Sequence, residues 1–223
     1  KASDAVMRED WEKATLFNSK AIELDPGNNI SNYWLLIAQG KSYFKQGDIE
    51  EAIRSYKKAI DLNPNYPNSY NSIGHIYKDQ GKHKKSVEFY KKATELAPYN
   101  GNLHFNLGRA YQNIGSYKKA VLCFEKAIDL NPDDVEAINN LGSSYSSQNN
   151  FVKALKYFKV AVDLDPKNPD YHFNLGLTYH NQESYSKAIE SYKKAIDLNP
   201  NYIRAHFNLG QTYNNLGNQI SSI

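Results

Sequence analysis

The stretch HFNLGRAYQNIGSYKKAVLCFEKAIDLNP, residues 104–132, carries two apolar stripes at helical spacing, parted by Gly115 and closed by Pro132. Residues three and four apart share one face of a helix, so the stretch reads as two short helices laid against each other. Gly115 offers a left-handed stop between them, and Pro132 ends the second. The same layout returns at a fixed step of 34 residues, which places prolines at Pro64, Pro98, Pro132, Pro166 and Pro200. Glycines follow the step at Gly40, Gly74, Gly108, Gly142, Gly176 and Gly210, and three residues beyond each stands a tyrosine, Tyr43, Tyr77, Tyr111, Tyr145, Tyr179 and Tyr213. Small residues (Ala52, Ser86, Ala120, Ala154, Ala188) precede an aromatic by four positions (Tyr56, Tyr90, Phe124, Phe158, Tyr192), and Ala59, Ala93, Ala127, Ala161 and Ala195 complete the unit.

Such a step marks a repeat architecture in which each repeat is one pair of helices. The small residues let the backbones approach, and the aromatic of one helix is expected to fill the gap beside the glycine of its partner. Gly47, Gly81, Gly115 and Gly217 are the expected stops between helices. Asn149 and Glu183 stand in that place in two repeats. A glutamate held left-handed costs about 1 kcal/mol, unless the turn is reshaped.

With 223 residues, 40% of them hydrophobic, the chain has enough material for one or two globular domains. A net charge of +3, from 27 Lys and Arg against 24 Asp and Glu, is too mild to point to nucleic acid. The single cysteine, Cys123, excludes an internal disulfide and a thiolate zinc site, and fits a reducing compartment such as the cytoplasm or nucleus. Its neighbours Leu122 and Phe124 make a neutral, at least half-buried thiol the expected form. No apolar run approaches the roughly 18 residues of a membrane span. The sequence holds no Gly-rich phosphate loop, nucleophile with a base, pair of catalytic carboxylates or metal motif. No catalytic residue, cofactor or metal is therefore expected, and the chain reads as a binding protein rather than an enzyme.

The repeat closely resembles the tetratricopeptide repeat family, over nearly the whole chain. That resemblance implies an all-α, right-handed solenoid of helix-turn-helix repeats, with first helices lining a concave groove and second helices forming the outer wall. The expected organisation is one solenoid domain. It begins with a partial repeat over residues 1–26, of which Arg8 to Pro26 match a second helix. Repeats then follow at 33–66, 67–100, 101–134, 135–168 and 169–202, and a first helix opens the partial repeat 203–223. Four extra residues near Asn29–Asn32 amount to about one helical turn. The partial repeats at both ends read as pieces of a longer array.

Two residues before the last four signature glycines stand Asn106, Asn140, Asn174 and Asn208; the two earlier repeats have Ala38 and Ser72 there. An amide both donates and accepts, so it can satisfy the backbone of an extended peptide whatever its side chains. With helices about 10 Å apart and a peptide rising about 3.3 Å per residue, one asparagine meets about every third peptide residue. The row is similar to the asparagine ladder in the superhelical domain of O-linked N-acetylglucosamine transferases, which implies an extended polypeptide as ligand. Bonding between repeats, or plain solvation, is the alternative role.

Phe105, Phe173 and Phe207 each precede a ladder asparagine and are candidate apolar anchors, or else rings packed on the next repeat. Lys41, Lys45, His75, Lys78 and Arg109 make the amino-terminal half of the groove basic, where an acidic segment is expected to lie. His104, His172 and His206 occupy the place where the family has tryptophan and read as packing residues. The family's carboxylate clamp for chaperone tails is not expected. Asn71 and His75 before Asn106 stand where the clamp has lysine and asparagine, and Glu136 and Asn140 after it stand where the clamp has two cations. Lys57–Lys58, Lys91–Lys92, Lys118–Lys119 and Lys193–Lys194 read as a solvated outer face.

The expected function is a scaffold that holds an extended segment of another protein. Two alternatives belong to other classes: the substrate-recruiting part of a larger enzyme such as a glycosyltransferase, and a structural scaffold that self-associates through its ends.

Overall fold

Glycine and proline punctuation sets the helix bounds. The computed structural model describes residue 13, residues 16–25, residue 27 and residues 29–221, with side chains through residue 217. Among these residues all regular structure is helical, and the chain divides into two compact units, Lys1–Tyr99 and Asn100–Ile223. The first unit holds a helix over residues 16–24 (α1), followed by α2 (Asn29–Gln46), α3 (Ile49–Leu62), α4 (Pro67–Asp79) and α5 (His83–Leu96). The second holds α6 (Gly101–Asn113), α7 (Tyr117–Leu130), α8 (Val135–Ser146), α9 (Phe151–Leu164), α10 (Pro169–Asn181), α11 (Tyr185–Leu198) and α12 (Ile203–Ser221). In each unit consecutive helices pack as pairs and the pairs stack in sequence, a solenoid of helix-turn-helix repeats. The proposed partial repeat before Pro26 lies largely outside the described residues.

The four-residue insertion lengthens a helix rather than a loop: α2 has 18 residues where α4 has 13, and it begins about one turn early. Within each pair the turn is left-handed at one residue, Gly47, Gly81, Gly115, Asn149 or Glu183, with φ between 58° and 87°. Asn149 and Glu183 therefore do not reshape the turn. The same bond closes all five turns, from Asp48, Lys82, Ser116, Asn150 and Ser184 N–H to the carbonyl of the signature tyrosine five residues earlier, at 2.8–2.9 Å. Those bonds hold the glutamate at a cost of about 1 kcal/mol. Gly217 departs from expectation. It lies inside α12, which runs on to Ser221, because glycine permits a left-handed stop without imposing one.

The signature glycines are sites of close approach. A Cβ added at Gly40, Gly74, Gly108, Gly142 or Gly176 would lie 2.7–2.9 Å from the ring of Tyr56, Tyr90, Phe124, Phe158 or Tyr192 respectively. At Gly210 nothing lies within 4 Å. Around each ring the small residues of the second helix, such as Ala120 and Ala127, are fully buried and bring the backbones together. Early in α5, α7, α9 and α11 a lysine lies over the signature tyrosine of the same repeat: Lys85 on Tyr77 at 5.5 Å, Lys119 on Tyr111 at 5.5 Å, Lys153 on Tyr145 at 4.9 Å and Lys187 on Tyr179 at 5.7 Å. No helix among the described residues is long and apolar enough to cross a membrane.

Candidate functional site

With the signature residues packed between helices, the polar positions of the first helices remain to meet a ligand. In the first unit these helices are α2 and α4, linked by a bond from Ser69 Oγ to the Tyr33 hydroxyl at 3.2 Å. Lys41 is half-buried and Lys45 exposed on α2, while His75 and Lys78 are half-buried on α4. Burial, and then the charge of Lys45, hold the Lys41 ammonium below the usual lysine range. Lys78 Nζ lies 3.4 Å from His75 Nδ1 and 3.3 Å from the Asp79 carboxylate, and the His75 ring meets Tyr90 edge-on at 5.8 Å.

In the second unit Asn106 on α6, Asn140 on α8, Asn174 on α10 and Asn208 on α12 are all half-buried. Their amides are partly committed within the fold. Asn140 and Asn208 each donate Nδ2–H to the carbonyl four residues back, of Glu136 and Arg204, at 2.8 Å. Asn174 donates instead to Oδ1 of Asn139 on the preceding first helix at 3.0 Å. Arg109 lies 3.6 Å from Glu136 and over the ring of Phe105 at 5.8 Å, so it is engaged inside this unit.

The three phenylalanines part company. Phe105 is half-buried against Phe124, with ring centroids 5.9 Å apart. Phe173, expected as a groove anchor, is a core ring only 1% exposed, packed on Tyr192 and Tyr202 with Arg204 over its face at 4.5 Å. Burying it there removes apolar area that an anchor would have kept exposed. Phe207 is 64% exposed on α12.

Histidines at the family's tryptophan position have a structural task. His172 and His206 each donate Nε2–H to the carbonyl of the proline six residues back, Pro166 and Pro200, at 2.9 Å. Tyr70 does the same for Pro64 with its hydroxyl at 3.2 Å. Cys123 is half-buried, and burial pushes its thiol up to about 11, which keeps it neutral.

A set of cross-helix bonds escaped the sequence reading. Gln112 Nε2 donates to the Asn140 carbonyl at 3.0 Å and to Ser144 Oγ at 2.9 Å, joining α6 to α8. His180 Nδ1 lies 2.8 Å from Thr212 Oγ1, joining α10 to α12. Thr212 gives its own proton to the Asn208 carbonyl, so the imidazole N–H is the donor to Thr212. The hydroxyls at Ser144, Thr178 and Thr212, two residues after a signature glycine, recur at the 34-residue step and were a signal that could have been found. The Tyr202 hydroxyl bonds the Asp170 carboxylate, and burial and that bond together raise its ionisation well above the usual range. Among the described residues no group of three or more His, Cys, Asp or Glu could hold a metal ion.

Comparison with known proteins returns the same repeat. No curated protein sequence matches the chain significantly. Among solved structures, YrrB, described as a TPR protein with an unusual peptide-binding site, is 27% identical with a TM-score of 0.74, over 85% of this chain and 96% of that one. MamA is 27% identical with a TM-score of 0.68, over 71% of this chain and 93% of its own. The APC/C hetero-tetramer Cut9-Hcn1 shares the fold at 20% identity and a TM-score of 0.63, covering 91% of this chain and 40% of that one. A family model for subunit 3 of the anaphase-promoting complex, or cyclosome, matches residues 113–195. The TPR repeat model matches residues 40–81, 74–115 and 179–217, just over half of the chain; the first two ranges hold the glycines of the sockets at Gly40, Gly74 and Gly108, and the third holds the turn bond from Ser184 to Tyr179. By that match and that packing, the chain belongs to the tetratricopeptide repeat (TPR) family.

Proposed function

We propose that this chain is a protein-interaction scaffold whose first helices hold an extended segment of a partner protein, with Asn106, Asn140, Asn174 and Asn208 as a ladder that reads peptide backbone. The observation that carries this reading is the row itself: four amides at one step on four successive first helices, all half-buried. Asn140, Asn174 and Asn208 each spend one N–H inside the fold, and a primary amide has a second N–H and an acceptor oxygen for a ligand. The bonds already made hold these side chains in place, which lowers the ordering cost of binding. The peptide-binding site named for YrrB supports the same class of function.

Magnitudes limit the ladder. Each bond contributes roughly 0.5–1.5 kcal/mol net, so four give at most several kcal/mol before the peptide is ordered. Further contacts are required, and Phe105, half-buried on α6, and Phe207, exposed on α12, stand in the same unit as the ladder and can supply them.

The test is capture of partners from lysate by the wild-type chain and by a variant with all four asparagines changed to alanine, after both are shown to have equal helicity and melting temperature. Loss of partners from the variant alone is the expected result. Equal capture by both chains sinks the ladder.

Self-association is a second reading, supported by α12, where Ile203 is 81% and Phe207 64% exposed beside the open face of Gly210. A molecular mass that rises with concentration, and returns to monomer in Phe207→Ser, would favour it.

A further inference from the structure

We infer that the ladder of the second unit takes its partner segment as a polyproline II strand in one register, set by the residues just before the ladder asparagines. An apolar residue lies on Phe105, a side-chain carboxamide three residues on meets Asn139, and an apolar residue nine residues on lies on Phe207. This inference rests on the peptide-holding function proposed above and adds the conformation and side chains of the segment held.

Spacing selects the conformation. Packed helices lie about 8–10 Å apart. A polyproline II strand has three residues per turn and rises about 3.1 Å per residue, so each turn advances about 9 Å and every third residue faces the same way. A β-strand covers a similar distance in three residues, but its side chains alternate, and successive rungs would meet opposite faces. Polyproline II also has no internal hydrogen bonds, which leaves its N–H and C=O groups for the asparagine amides.

The positions before the ladder then read side chains, and the fold gives each its own surface. On α6 Phe105 is half-buried, packed on Phe124 with centroids 5.9 Å apart, and on α12 Phe207 is 64% exposed. Both offer aromatic surface to an apolar residue. Between them on α10, Phe173 is 1% exposed beneath Arg204, whose guanidinium lies 4.5 Å over the ring, so this place has no apolar surface to offer.

Asn139 on α8 is the polar place, and it adjoins the ladder directly. Its Oδ1 accepts the Asn174 Nδ2–H at 3.0 Å, while its own Nδ2 has no hydrogen-bond partner among the described residues. Both N–H groups and one lone pair of Oδ1 therefore remain on a half-buried amide. A side-chain carboxamide answers the donors and the acceptor together, whereas a carboxylate has acceptors only. From Phe105 to Asn139 is one repeat, and from Asn139 to Phe207 two, which is three and then six residues of the strand.

The experiment is a fluorescence anisotropy titration of synthetic peptides with a serine background. The first has leucine, glutamine and leucine at its first, fourth and tenth places; the second has the same composition with glutamine and the later leucine each moved by one place. Further peptides carry a single proline at each serine of the first in turn. Wild type is expected to bind the first peptide at least about tenfold more tightly than the second. Proline is expected to weaken binding at every third place, where a ladder asparagine needs the N–H, and to be tolerated between. Asn139→Ala and Phe207→Ala each reduce the preference for the first peptide, while the four-asparagine variant weakens both peptides alike. Equal binding of the two peptides by wild type, or a proline pattern without a period of three, overturns the register. The ladder still stands in that case if the four-asparagine variant weakens both peptides. Failure of wild type to bind any of them overturns both readings. Chain mass is measured at the titrated concentration, and a dimer that Phe207→Ala dissolves assigns this ring to a second copy and overturns the register.

Discussion

The first helices of the two units use their polar groups in opposite ways, above the same framework. In the first unit α2 and α4 present three lysines and an imidazole against a single carboxylate. In the second, Gln112 bonds Ser144, Asn174 bonds Asn139, His180 bonds Thr212, and Arg109 lies near Glu136. One face is rich in cations, whereas the other ties its first helices together with side-chain amides, a hydroxyl and an imidazole. Since glycine, aromatic and alanine fix the frame, the remaining first-helix positions are free to differ from repeat to repeat. Binding chemistry in such a chain is thus local to a few helices.

The largest effect that separates the units is expected in alkali. Tyr33 and Tyr56 in the first unit are raised above the usual tyrosine range, chiefly by burial. So are Tyr111, Tyr157, Tyr171, Tyr192 and Tyr202 in the second, with Tyr145 pushed up to about 12 and Cys123 to about 11. A group whose folded value is raised gives stability that is present below its unfolded value and lost as pH climbs through the folded one. Loss therefore starts near pH 9 at Cys123 and deepens above about pH 10, more in the second unit than in the first. The second unit has no tryptophan, so the emission maximum does not report on that unit, while circular dichroism follows the whole chain. Helicity should fall at lower pH than the emission maximum shifts, and the reverse order would break the contrast.

The shared frame comes next. Gly74→Ala and Gly142→Ala place a methyl within 2.8–2.9 Å of a buried ring, and each should cost about 1–3 kcal/mol in denaturant unfolding despite alanine's better helix propensity. Gly210→Ala meets nothing within 4 Å and should gain up to about 1 kcal/mol. Equal signs at all three would mean that the sockets do not govern packing.

Smaller effects sharpen the difference between the faces. Gln112→Ala removes two bonds between first helices and should lower stability by about 1 kcal/mol, while Lys41→Gln should change it by less than about 0.5 kcal/mol. Tyr192→Phe is expected to stabilise by about 1 kcal/mol, because its hydroxyl is buried with no hydrogen-bond partner among the described residues and Phe124 and Phe158 already serve at the equivalent place. Thermal and denaturant unfolding of each variant against wild type measures all three.

Residues that repeat made the frame legible in the sequence. The proline step, the glycine sockets and the left-handed turns follow from local chemistry, and even Glu183 kept its turn because the Ser184 bond to Tyr179 closes it. The faces were less legible. Phe105, Phe173 and Phe207 share one position and one side chain, yet they are half-buried, buried and exposed. Their environment depends on neighbours such as Tyr202 and Arg204 that only the fold brings to Phe173. The same holds for Asn174, whose partner Asn139 is 35 residues away. Gly217 shows the limit from the other side, since a residue that allows a stop is read as one until the helix is seen to continue.

The most direct test of the central claim, that the first helices form the binding face, is to map backbone and side-chain amide shifts of the isotopically labelled chain as a captured peptide is added. Shifts concentrated at Asn106, Asn140, Asn174 and Asn208 and at their neighbours on α6, α8, α10 and α12 are the predicted result. Shifts centred on α3, α5, α7, α9 and α11, around Lys57, Lys91, Lys118 and Lys193, would contradict it and assign binding to the second helices.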